Sequence, residues 1–143
     1  MKRICLLLIV SLALACSKIP EPIVYGADMC NFCQMTIVTK THAAQMVTDK
    51  GKQYKFDAIE CMIHFLQDKQ DLLSKSQLLI TDYKTPGTMI DAKTAGYLVS
   101  SKITSPMGAN LSGFNSIDTA KQTINDDQAN YYDWERIFIK LNE

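Results

Sequence analysis

At 143 residues the chain is long enough for one modest domain with its own core. Hydrophobic residues make up 47% and charged residues 21%, the balance of an ordinary globular protein. Fifteen Lys+Arg meet fifteen Asp+Glu, and no basic cluster interleaves with aromatics, which argues against nucleic acid as a partner.

Taken in order, residues 1–15 read as a leader. Lys2 and Arg3 form a positive start, and Ile4 to Ala15 is an apolar run too short to span a bilayer. The ending Leu12-Ala13-Leu14-Ala15-Cys16 resembles a bacterial lipobox, in which the cysteine is acylated and becomes the mature N-terminus. A plain signal peptide with Cys16 left as a free thiol is the simpler reading. Residues 16–27, with Pro20, Pro22 and Gly26, read as a tether ahead of a globular domain over 28–143. The expectation is an extracytoplasmic protein held to a membrane by a lipid anchor.

The domain begins with the densest chemistry of the chain, Asp28-Met29-Cys30-Asn31-Phe32-Cys33-Gln34-Met35-Thr36-Ile37. A Cys-x-x-Cys pair can hold one metal ion or close as a disulfide. Thiolates beside a thioether, Met35, are soft donors that suit Cu(I) far better than Mg, Ca or Mn. A structural zinc site normally needs four Cys/His donors, and the chain has no second close Cys pair. Three other readings stand beside copper. Cys30 and Cys33 could form a short surface disulfide. They could be a thioredoxin-like redox pair, although no buried strand leads into the motif. Met35 could simply be the first core residue of the next strand.

Beyond the motif, Thr36–Thr39 is β-branched and predicts a strand, Lys40-Thr41-His42 a turn, and Ala43–Asp49 and Gln53–Phe56 two more strands. Asp57-Ala58-Ile59-Glu60 has the form of a capping box, with Asp57 as N-cap. Ala58, Ile59, Met62, Ile63, Phe65 and Leu66 then recur at helical spacing. Cys61 falls on that buried side and reads as an inert core thiol, with Met62 as core filler. His64 could share a face with Cys61 and form a second soft site. Further on, Leu78–Asp82, Met89-Ile90 and Tyr97–Val99 predict extended pieces. Ser105-Pro106-Met107-Gly108 predicts a turn before Ala109–Gly113, and a helix follows from Ser116. Phe114-Asn115-Ser116-Ile117-Asp118 repeats the pattern of Phe56–Glu60, which suggests a duplication with Asn115 as the second cap. Asp133–Leu141 fits a helix or a strand.

These blocks together resemble the NosL family of copper-binding lipoproteins that accompany nitrous-oxide reductase. The likeness rests on Cys30-x-x-Cys33-x-Met35-x-Ile37, Lys55-Phe56-Asp57, Asp91-Ala92 with Ala95–Val99, and Pro106–Leu111 with Phe114. Gln34 departs from the family, which usually has glycine there. The resemblance implies an α+β domain of two similar ββα-like halves, about 28–75 and 76–143. It implies no enzymatic turnover but a Cu(I) chaperone, with Cys30, Cys33, Met35 and Met107 as ligands. Met29, Met46 and His42 are outside candidates. The implied partners are apo nitrous-oxide reductase or its membrane maturation transporter. A periplasmic thiol–disulfide protein acting through Cys30 and Cys33 is the alternative.

Overall fold

Residues 18–143 are described by a computed structural model of the chain; the expected leader and Cys16 lie outside the described residues. Two antiparallel sheets position everything else. The first has the order β2-β1-β3-β4, built from β1 (Ala44–Val47), β2 (Gln53–Phe56), β3 (Gln77–Thr81) and β4 (Met89–Asp91). The second has the order β6-β5-β7, from β5 (Gly96–Val99), β6 (Leu111–Phe114) and β7 (Asn130–Tyr132). The helices are α1 (Ile59–Leu66), α2 (Gln70–Lys75), α3 (Ile117–Thr123) and α4 (Trp134–Asn142).

Each sheet is organised around the same unit. A hairpin leads into a helix, and the next strand returns to the free side of the hairpin's first strand. Thus β1 pairs with β2 and β3, and β5 pairs with β6 and β7. Phe56 sits opposite Ala44 and Phe114 opposite Gly96, so the two aromatics occupy matching registers. The small residue at 96 has a physical cause: a Cβ there would lie 2.3 Å from the backbone nitrogen of Ile117, where α3 begins. The two halves expected from sequence are present, as ββαβ units. Their boundary differs from the expected 75/76. β3 and β4 complete the first sheet because β1 has an open edge to fill, so the division falls between β4 and β5.

Several local expectations are corrected. Asp57 does not cap α1; the N-cap is Ala58, with no side-chain cap bond, because the Asp57 carboxylate is buried and accepts from the Val38 N–H instead. Asn115 does not cap α3 either, since Ser116 accepts from the Thr119 N–H at 3.1 Å. The helices nonetheless start at equivalent residues, Ile59 and Ile117. Thr36–Thr39 is not a strand beyond a single bridge pair of Met29 with Thr36. Its backbone bonds go to the loop before the motif, with Ile37 N–H to Asp28 O at 2.9 Å and Gly26 N–H to Ile37 O at 2.8 Å. The segment expected as a tether is docked from Ile19 onward, where Gln53, Gln45 and Lys55 donate to the carbonyls of Ile19, Glu21 and Pro22. The C-terminal stretch is a helix, capped by Asp133 on the Arg136 N–H and seated by buried Trp134 and Ile137.

The core runs through both sheets with α1 at its centre. Ile59, Glu60, Cys61, Met62, Ile63 and Leu66 are all buried, and the helix packs on β1, β2, β6 and α4. A helix covered on so many sides is apolar nearly all round. Gly113 lets the sheets meet, because a Cβ there would lie 2.3 Å from Cδ1 of Ile80. The start of α1 is thus a rigid point on which loops from both halves can converge.

Candidate metal centre

The Cys-x-x-Cys segment is a tight loop, closed by Cys30 N–H to Met35 O at 2.8 Å and Gln34 N–H to Cys30 O at 3.1 Å. Gln34 turns the chain with φ 63, the left-handed region that glycine enters without strain. The loop is zipped to β2 by Asn31, whose N–H donates to Lys55 O at 2.8 Å while its Oδ1 accepts from Lys55 N–H at 2.7 Å. Lys55 Nζ also pairs with Asp28 at 2.7 Å. Since β2 runs directly into α1, this zipper carries Cys30 and Cys33 to the first turn of the helix, where Cys61 waits.

The sulfur atoms of Cys30, Cys33 and Cys61 all lie within 4.8 Å of one another. All three are free thiols, with Cys30 and Cys61 buried and Cys33 half-buried. Metal–sulfur bonds of about 2.3 Å place the sulfurs of a trigonal site about 4 Å apart, so the cluster has the size of one ion. The Cys61 thiol, donating to Cys30, is the first cause that brings Cys30 down to about 4 from an ordinary 9.0. Backbone N–H groups of Asp57, Cys33 and Phe32 aid it against the cost of burial. Burial pushes Cys33 up, and its donation to Cys30 pushes Cys61 up further. At neutral pH the cluster is therefore one thiolate clasped by two thiols, next to the N-terminus of α1, a favourable place for negative charge.

Asp57 is buried beside this thiolate. Burial, and secondarily the Cys30 charge, raise its pKa, and its Oδ1 has no hydrogen-bond partner. Phe32, at the tip of the loop, stacks on His64 with ring centroids 5.9 Å apart. His64 is thus engaged with the loop, while Cys61, read from sequence as an inert core thiol, adjoins Cys30 and Cys33. Met35 and Met107 are 51% and 41% exposed. Met107 rides on a turn whose Ser105 hydroxyl donates to the Glu60 carboxylate, one residue before Cys61. Met29 is exposed, and Met46 is core within β1. His42 is buried, held by Thr41 at 2.8 Å and Ser112 at 3.2 Å.

Sequence reasoning missed Cys61. The one signal was its place in the first turn of the helix that follows the strand next to the motif.

A family model described as NosL matches residues 23–140. The chain belongs to the NosL family. The crystal structure of the copper chaperone NosL from Shewanella denitrificans has the same fold, with a TM-score of 0.68 at 20% identity. That likeness covers 83% of this chain and 95% of the other. No curated protein matches the chain. In this NosL-family chain no described helix is long and apolar enough to cross a membrane.

Proposed function

We propose that this chain is an extracytoplasmic Cu(I) metallochaperone, a lipoprotein anchored through acylated Cys16, that supplies copper for maturation of nitrous-oxide reductase. The observation that carries the copper reading is the cluster of three soft sulfur donors at the start of α1. A solved structure of the same fold is that of a copper chaperone, which agrees with it. The chain binds and releases its cargo without turnover. Cys30 and Cys33 supply thiolate, Cys61 adjoins them, and Met107 and Met35 add thioether at the surface. Half-buried Cys33 and the exposed methionines give an acceptor's sulfur a route to the ion, so transfer proceeds by stepwise ligand exchange. The recipient is apo nitrous-oxide reductase or its membrane maturation transporter.

The test is an anaerobic competition titration against a Cu(I) chelator. Cys30→Ser with Cys33→Ser should abolish tight binding, and Met107→Leu should weaken it about tenfold with the fold intact. Retention of parent affinity by the double cysteine variant would end the copper reading.

The low pKa of Cys30 beside Cys33 favours a second reading, a thiol–disulfide protein, because a thiolate is the attacking species in exchange. Exchange needs no thioether. Met107→Leu that leaves Cu(I) binding unchanged, with rapid reduction of a disulfide substrate, would move that reading ahead.

A further inference from the structure

We infer that Glu60 is a positioning residue for copper capture: its buried carboxylate straps the Ser105–Ala109 turn to the first turn of α1 and so sets where the Met107 thioether stands. The inference rests on the reading of Met107 as a donor.

Glu60 is 1% exposed, an expensive place for a carboxylate. It is not the capping partner of Asp57. Instead it accepts from the hydroxyl of Ser105, itself buried, and the amide of Ala109 faces the same carboxylate. One side chain therefore touches both ends of the turn, which closes on itself through Gly108 N–H to Ser105 O at 3.1 Å. Pro106, Met107 and Gly108 bulge outward between these two points.

The neighbours of Glu60 on α1 make the placement meaningful. Cys61 is the next residue and belongs to the thiol cluster. His64, one turn on, stacks on Phe32 of the cysteine loop. Two loops some seventy residues apart thus fasten to one short stretch of helix, the cysteine loop at His64 and the methionine turn at Glu60. If Glu60 served packing alone, a leucine would fill the site without the cost of burying a carboxyl, whose pKa burial raises. The carboxylate is explained by what it holds. A donor kept in place before the ion arrives loses less freedom on binding.

A double-mutant cycle tests this, read by Cu(I) chelator competition together with thermal unfolding of the copper-free proteins. Glu60→Ala and Ser105→Ala should each lower Cu(I) affinity by a factor comparable to Met107→Leu, about tenfold. Combining either with Met107→Leu should cost nothing more, because the strap acts through the thioether. Glu60→Gln keeps an acceptor for Ser105 and should restore most of the affinity. Ser105→Ala is the milder variant and serves should Glu60→Ala fail to fold. Additive losses, or parent affinity in Ser105→Ala, would overturn the positioning role while leaving Met107 as a ligand. Parent affinity in Met107→Leu alone would instead overturn the reading on which the role depends.

Discussion

Replacing Cys61 with Ala should raise the pKa of Cys30 from about 4 by roughly one to two pH units. The buried Cys61 thiol is the largest single cause of the low value, and a hydrogen bond to a charged acceptor contributes about 1.5–3 kcal/mol. The amides of Asp57, Cys33 and Phe32 remain after the change, so the thiol should not return to its ordinary 9.0. Cys61→Ser keeps a donor on a shorter bond and should fall between parent and Ala. The assay is ultraviolet thiolate absorbance against pH in a Cys33→Ser background, where Cys30 titrates alone below neutrality. Stability supplies a second readout. Between about 4 and 9.0 the unfolded chain holds a proton on Cys30 that the folded chain does not, so this group makes stability rise with pH across that window. The benefit is lost as pH falls through 4, and Cys61→Ala should narrow the window from below. Cys33 and Cys61 act with the opposite sign, costing stability as pH rises past 9.0. If Cys61→Ala titrates with the parent, the amides alone make the thiolate, and the donor role of Cys61 is wrong.

Gln34→Gly should stabilise the loop by about 1 kcal/mol, since a side chain at φ 63 is strained; urea denaturation would show it, and a loss of stability would mean that the glutamine side chain contributes more than its backbone costs. Ser116→Ala should cost about 1 kcal/mol in the same assay, while Asn115→Ala, exposed and not capping, should stay within about 0.5 kcal/mol. Burial lowers the pKa of His42, so this group is neutral in the fold and its contribution is complete above pH 6.5. As pH falls below 6.5 the unfolded chain takes up a proton that the fold refuses, and melting temperature should drop; His42→Phe should flatten that part of the profile, and an unchanged slope would refute the assignment.

Much of this protein is legible before folding because it rests on local chemistry. Soft donors within a span of six residues, Cys30, Cys33 and Met35, carry their metal preference in their atoms. The strands around Gly51 and the helix after Phe56 follow from side-chain period and turn residues. The match of Phe56 with Phe114 survives because equivalent residues end equivalent strands. The caps were not legible: Asp57 is drawn into the core and leaves α1 without a side-chain cap, while at α3 Ser116 rather than the equally exposed Asn115 meets the Thr119 N–H. The same holds for β3, whose partner is β1 of the first half only because that edge is open.

Tertiary structure alone decided the composition of the centre. Helical periodicity says that Cys61 faces inward but not what it faces, and Glu60, expected in a capping box, is buried only in the fold. Cys61 meets Cys30 because Asn31 and Lys55 zip the loop to β2, and Glu60 meets Ser105 across 45 residues of chain. Such contacts depend on how two sheets close around α1, and no pattern in neighbouring residues encodes that closure. The soft-donor character was therefore written in residues 30 to 35, while the third thiol beside them and the Glu60–Ser105 contact appeared only when the two halves packed together.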